Sequence, residues 1–158
     1  MAVRRRRPSG QQDPRAQIRA GADRGHLSLR CGTFFAMGPI EKAIRGSCSD
    51  GMRLSTPTGR GEFSIARVDS KGIVLLLGAK EAWTPLPWSC IEGVGAFLAP
   101  REWVPIGSKY ETTADARTLD GYLKGYMKRA TAGWVAAVLE RAGVIEIDRS
   151  RPARVRLR

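Results

Sequence analysis

The sequence predicts an α+β protein that combines a small three-stranded antiparallel sheet with helices and begins with a basic arm. Apolar residues make up 42% of the 158 residues, which is enough for a modest core and too many for a wholly disordered chain. Between residues 63 and 88, short apolar segments separated by turn residues are typical of strands, and beyond residue 118 apolar residues recur at helical spacing. The length fits one domain with a tail.

The first 36 residues are predicted to be a disordered basic arm. They contain eight arginines and two aspartates, a net charge of +6, and their apolar residues follow neither a strand nor a helix period. Three interpretations stay open: a nucleic-acid-binding arm, an Arg-rich targeting peptide, or a segment outside the native protein, with Met37 as the true start. Residues 37–116 are electrically balanced, whereas residues 117–158 again have a net charge of +6. The excess charge therefore lies in the first and last parts of the sequence.

Residues 37–116 predict a β-meander with a helix after it. Segment 46–61 is rich in Gly, Ser, Thr and Pro and predicts a loop. In the strand that follows, Arg67 is assigned to the same face as Phe63 and Ile65. The third strand is expected at a sheet edge, because its Pro85 and Pro87 have no N–H to donate. The predicted elements are a short helix at 39–44, strands at 63–68, 73–77 and 82–88, a helix at 90–98 and a short strand at 103–106.

The three tryptophans of this region allow two interpretations. Trp83, Trp88 and Trp103 could stack on nucleic-acid bases, as exposed aromatic side chains do in proteins that bind single strands. They are better explained as core aromatics, because they lie in apolar stretches without regularly interleaved basic residues.

Residues 117–158 predict two amphipathic helices followed by a β-hairpin. Thr118 and Thr131 suit the N-cap positions of the two helices, and Gly143 suits the position after the second. The boundary between the helices falls near Ala130 or, alternatively, at a break that starts at Gly125. Strands at 144–147 and 153–157 complete the hairpin. The two apolar stripes consist of Leu119, Tyr122, Leu123, Tyr126 and Met127, and of Trp134, Val135, Val138 and Leu139.

The segment VLERAGVIEIDRSRPARVRL, Val138 to Leu157, resembles part of the winged helix-turn-helix superfamily: the end of a recognition helix, the glycine that stops it, and two wing strands. In that family the recognition helix enters the major groove of DNA, and the wing touches the phosphate backbone or the minor groove. The residues at presumed groove-facing positions are small, which favours phosphate contacts over base reading. The resemblance implies nucleic-acid contacts by Lys128, Arg129, Thr131 and Arg141 around the helix and by Arg149, Arg151 and Arg154 in the wing.

The sequence lacks the residue patterns that most enzymes and metal sites need. His26 is the only histidine, and the three cysteines include no CxxC pair. No phosphate-binding loop, dinucleotide-binding fingerprint, HExxH or GxSxG motif occurs. We therefore predict no catalytic residue, no metal, no cofactor and a non-enzymatic protein.

These observations lead to one expected function and one alternative. The expected function is binding of nucleic acid, double-stranded DNA in particular, mostly through phosphate contacts of the C-terminal half. The alternative is a non-catalytic protein–protein interaction module of a larger assembly, with another protein or a second copy as its partner. The longest apolar run, at 73–77, has five residues, where a membrane span needs about 20, so no membrane partner is expected. The unpaired cysteines favour a cytoplasmic location.

Overall fold

The described residues form four helices and two antiparallel sheets, which confirms the predicted α+β class. The computed structural model describes residues 36–107 and 115–158, so the predicted disordered arm lies almost wholly outside the described residues. The described elements are α1 (Pro39–Ser47), β1 (Arg53–Ser55), β2 (Glu62–Val68), β3 (Gly72–Leu77), β4 (Ala82–Pro87), α2 (Trp88–Leu98), β5 (Val104–Pro105), α3 (Leu119–Lys124), α4 (Ala132–Arg141), β6 (Ile145–Asp148) and β7 (Arg154–Leu157).

The first sheet has four strands in the order β1-β2-β3-β4, so the prediction of three strands was wrong. The additional strand β1 arises within the segment predicted as a loop and pairs with β2, Leu54 lying opposite Phe63. It is only three residues long, which is too short for an alternating apolar pattern to show. Strand β4 lies at the sheet edge, as its two prolines predicted.

A β-bulge in β2 changes the face to which Arg67 belongs. Ile65 pairs with Leu75, yet Arg67 pairs with the adjacent Val74, so one residue of β2 is skipped in the register. A bulge of this kind re-aims the side chains that follow it. The prediction that Arg67 shares a face with Ile65 was therefore wrong: it points to the opposite, outer face, where its guanidinium lies 5.9 Å from the centre of the Trp83 ring.

The core lies between the inner face of the first sheet and the helices. Ile65, Leu75 and Val94 are fully buried there, together with residues of α1, α3 and α4. Helix α2 begins at Trp88, two residues before the predicted start. The Trp88 indole is buried, and its Nε1 donates to the Asp69 carbonyl at 2.9 Å. Gly93, an unfavourable residue inside a helix, allows the close approach of α3: a Cβ at this position would lie 2.2 Å from the Tyr122 hydroxyl oxygen.

The second sheet has the strand order β5-β7-β6 and confirms the predicted C-terminal hairpin. Its strand β5 belongs to the region before residue 116, so this sheet joins the two regions into which the sequence was divided. The described residues 36–107 and 115–158 belong to one compact unit. No helix within the described ranges is long and apolar enough to cross a membrane.

The end of the short helix α3 shows which of the two predicted boundaries, near Ala130 or at Gly125, separates the two helices. Thr118 caps it as predicted, its Oγ1 accepting a hydrogen bond from the Gly121 N–H at 3.0 Å. The helix ends at Lys124, so the break at Gly125 is the correct alternative. Because the helix stops there, Tyr126 does not continue the inward apolar stripe and is 52% exposed.

Candidate nucleic-acid interface

Helix α4, the counterpart of the recognition helix in the resemblance, is buried along most of its length. Ala132, Ala136 and Ala137 are at most 6% exposed, and Trp134 is half-buried against the loop between β1 and β2. A helix that reads the major groove needs an exposed face along several turns. Here the small side chains let neighbouring elements pack closely against α4, so reading of bases by this helix is not supported.

The predicted residues around α4 divide into exposed cations and one buried threonine. Lys128 and Arg129 lie in the exposed turn before the helix, and Arg141 is exposed at its end. None of these three forms an ion pair with another residue of the described ranges. Thr131 is only 1% exposed and its hydroxyl finds no hydrogen-bond partner among the described residues, so it is corrected from a contact residue to a core residue.

Two of the predicted wing arginines are neutralised by carboxylates of the same domain. Arg149 forms two hydrogen bonds with Glu140 at the end of α4, with nitrogen–oxygen distances of 2.9 and 2.6 Å. Arg154 contacts Asp148 across the hairpin at 3.0 Å. Arg151, at the tip of the hairpin, is exposed and has no ion pair within the described ranges. Of the three wing arginines, Arg151 is therefore the one with an uncompensated charge.

Asp148 also holds the hairpin turn in shape. Its carboxylate accepts hydrogen bonds from the backbone N–H and the hydroxyl of Ser150, both at 2.9 Å. These bonds, and then the Arg154 guanidinium, hold the pKa of Asp148 below its ordinary value. The carboxylate stays charged at neutral pH and fixes the turn that presents Arg149 and Arg151.

The hairpin turn and the β1–β2 loop enclose a cleft of about 260 Å³. Three arginines line it: Arg60 from the β1–β2 loop, and Arg149 and Arg151 from the hairpin turn. The hydroxyl-bearing residues Thr58 and Ser150 also line the cleft. Its cationic and hydroxyl lining suits an anion with several oxygen atoms, such as a phosphate group, because guanidinium groups bind phosphate in a bidentate manner.

Arg60 is a candidate site residue that sequence reasoning missed. Its position depends on the closed loop before β2, in which the Thr56 N–H donates to the Gly61 carbonyl at 2.8 Å. Gly59 adopts a positive φ of 68° and so permits the tight turn. The sequence shows an arginine between two glycines in a loop, but the other arginines that line the cleft lie about ninety residues further along the chain.

The tryptophans have different environments. Trp88 is 8% exposed and belongs to the core, as expected, whereas Trp83 is 57% exposed, so its assignment to the core was wrong. Trp103 is half-buried beneath the hairpin, with the Arg156 guanidinium 4.6 Å from its ring centre. This ring is therefore in contact with an arginine of β7.

No group of three His, Cys, Asp or Glu side chains within residues 36–107 and 115–158 is arranged to hold a metal ion. No family model matches the sequence, and comparisons with curated proteins and with solved structures return no similar protein. The candidate interface is therefore defined by its own geometry, namely a cleft between two loops with three arginines in its walls.

Proposed function

We propose that this protein binds nucleic acid, double-stranded DNA in particular, mainly by phosphate contacts of the hairpin and the adjacent cleft. The observation that supports the proposal best is the convergence of Arg60, Arg149 and Arg151 from two separate loops on one cleft. Arg149 already pairs with Glu140, whereas Arg60 and Arg151 have no ion pair among the described residues. Like charges repel, so an anion that binds between these two guanidinium groups relieves their repulsion. Nucleic acid carries a phosphate anion at every position along its backbone and so can supply the anion that the cleft binds.

The C-terminal half supports this assignment by the order of its elements. Helices α3 and α4 and the β6–β7 hairpin follow the helix, helix, hairpin order on which the resemblance to winged helix-turn-helix domains rests. The domain would use its hairpin rather than its buried helix, so we expect binding that depends little on base sequence. Lys128, Arg129 and Arg141 add exposed cations outside the cleft.

The test is the salt dependence of binding to a random-sequence duplex. Each arginine that neutralises one phosphate contributes about 0.9 to the slope of log K against log salt. Arg60 and Arg151 have no ion pair among the described residues, so the double change of both to Ala should lower the slope by about 1.8. Fluorescence anisotropy on two unrelated duplexes at several salt concentrations measures this slope.

Arg53→Ala provides the matched control, because Arg53 is exposed on the neighbouring strand β1 but does not line the cleft. If Arg53→Ala and the single variants Arg60→Ala and Arg151→Ala change the slope equally, the overall charge alone explains the change. Unchanged binding in the double variant would exclude the cleft as a phosphate site. Absence of any salt-dependent binding by the wild type would refute the proposed function as a whole.

The second candidate function is a protein-interaction module that uses the outer face of the first sheet. The observation that favours it is the exposure of Trp83, beside the half-buried Leu76 on the adjacent strand. An apolar interface weakens little with salt, unlike contacts to phosphates. Sedimentation of the wild type and of a Trp83→Ser variant distinguishes the two: a self-association lost in the variant would support the module.

A further inference from the structure

One guanidinium group and three aromatic rings form a ladder along α2 and α3 and the residues that follow these helices. Arg101 lies over the Phe97 ring, 4.5 Å from its centre. Phe97 stacks on Tyr122 with ring centres 4.8 Å apart and an angle of 25° between the planes. Tyr126 follows at 5.4 Å from Tyr122, tilted by 53°, and is 52% exposed. The ladder therefore ends in an aromatic ring that faces solvent.

The ladder is held in place by packing against α2. The Tyr122 hydroxyl donates a hydrogen bond to the Cys90 carbonyl at 3.0 Å, and the missing side chain of Gly93 makes room for that hydroxyl. Burial, followed by the neighbouring Tyr126 hydroxyl, raises the pKa of Tyr122, so the hydroxyl remains a hydrogen-bond donor. Tyr126 thus packs against a ring that is itself held in place, and this contact reduces the conformational freedom that Tyr126 loses when a ligand stacks on it.

The charges beside Tyr126 are positive. Lys128 and Arg129 follow Tyr126 by two and three residues in the connection to α4, and both are exposed without an ion pair within the described ranges. The acidic residue of α3, Asp120, is only 4% exposed and contacts Lys124 at 2.7 Å, so little negative charge reaches the surface there. An exposed ring flanked by cations is the arrangement that binds unpaired bases, since the ring stacks on the base and the cations hold the neighbouring phosphates.

Trp83, the other strongly exposed aromatic residue within the described ranges, lacks such surroundings. Its neighbour Arg67 is bound to Asp69 at 2.8 Å. The groove beside it is lined by Glu62 and Glu81 as well as by arginines. Two exposed aromatic side chains of similar exposure therefore differ in the charge around them, which makes Trp83 a matched control for Tyr126.

We propose that Tyr126 is a stacking site for an unpaired base, with Lys128 and Arg129 binding the adjacent phosphates. This inference rests on the proposed function and narrows its substrate class to nucleic acid that contains a single-stranded segment, such as a duplex with an overhang. The cleft binds backbone phosphates whatever the pairing, whereas the Tyr126 site requires a base that is free to leave the helical stack.

The test compares a labelled duplex bearing a single-stranded overhang with a blunt duplex of the same sequence, by anisotropy at constant salt. Tyr126→Ala should weaken binding of the overhang substrate roughly 5- to 140-fold, the range expected for the loss of one base–aromatic stack. Tyr126→Phe should retain binding, because it keeps the ring. Trp83→Ala should leave the affinity for both substrates unchanged. Tyr126→Ala should leave the affinity for the blunt duplex unchanged. An overhang of abasic sugar-phosphate units should bind equally well to the wild type and to Tyr126→Ala.

The outcomes separate this inference from the proposed function. The stacking site would be overturned if Tyr126→Ala lost equal affinity for the overhang and blunt substrates, or lost affinity for neither. In both cases, wild-type binding would still support the phosphate-binding function. Equal losses in Tyr126→Ala and Trp83→Ala would also overturn the stacking site. A thermal melt of each variant shows that the fold is preserved, which the exposure of both rings leads us to expect. Absence of wild-type binding to every substrate would refute the proposed function itself.

Discussion

Replacement of Glu140 by Gln should strengthen DNA binding, although Glu140 does not line the cleft. Its carboxylate binds the Arg149 guanidinium through two hydrogen bonds, and these bonds raise the pKa of Arg149 and compensate its charge. Gln has nearly the same size and no charge. The substitution therefore leaves Arg149 in the cleft and frees its charge for a phosphate.

The magnitude follows from one additional phosphate contact. The slope of log K against log salt should become steeper by up to about 0.9. Between about 50 and 200 mM salt, this changes the ratio of the variant and wild-type affinities by about 3.5-fold. The cost in stability is small, because the side chains of Arg149 and Glu140 are 55% and 31% exposed and exposed pairs contribute at most about 1 kcal/mol.

The assay is anisotropy of a labelled duplex titrated at four or more salt concentrations, with Glu41→Gln as the control. Glu41 pairs with Arg45 on α1, outside the cleft, and its replacement changes the net charge by the same amount. An equal steepening of the slope in both variants would refute a specific role of Arg149, since the overall charge would then explain the gain. An unchanged slope in Glu140→Gln would show that Arg149 does not contact phosphate.

Three further predictions concern stability and reactivity. Gly93→Ala should lower the melting temperature, because its Cβ would lie 2.2 Å from the Tyr122 hydroxyl oxygen, whereas Gly46→Ala, at an open helical position, should stabilise the protein by about 0.5 kcal/mol. The fully buried Cys90, whose thiol pKa is raised to about 11 by burial, should react with iodoacetamide at pH 8 only after unfolding, as mass spectrometry can measure. Because the pKa of Asp148 is lowered in the folded state, its contribution to stability should be present above its ordinary value of 3.8 and disappear as pH falls through the folded-state pKa. The difference in melting temperature between pH 6 and pH 3 should therefore be smaller in Asp148→Asn than in the wild type, and an equal difference would contradict this.

The fold was predictable where a pattern is local. The paired strands β2 and β3, the edge position of β4 and the cap at Thr118 follow from alternation, proline chemistry and capping within a few residues of each element. Strand β1 was not predictable, since its three residues form a strand only because β2 offers a partner. The outward position of Arg67 depends on a bulge, which one residue of register decides and which composition does not reveal.

The candidate site was only partly predictable, because the compensation of charge is a property of the folded chain. The sequence indicates that Arg149 and Arg151 belong to one turn, but the pairing of Arg149 with Glu140 depends on where α4 ends relative to the hairpin. Arg60 joins the site because two loops that are distant in the sequence line the same cleft. Sequence patterns therefore identified the basic surface, whereas the number of uncompensated charges on it required the three-dimensional arrangement.

The burial of α4 on nearly all sides has a consequence for cooperativity. This helix contacts strand β1 of the first sheet and strand β6 of the second, and Val135, Ala136 and Leu139 are at most 2% exposed. If either sheet came apart, it would expose apolar surface of α4 that the other sheet cannot cover. Partial unfolding of one half therefore destabilises the other, and residues 36–158 should unfold in a single transition rather than as two independent lobes. A fragment that contains only one of the sheets would expose the apolar surface of α4 or of that sheet to solvent. We expect such a fragment to aggregate.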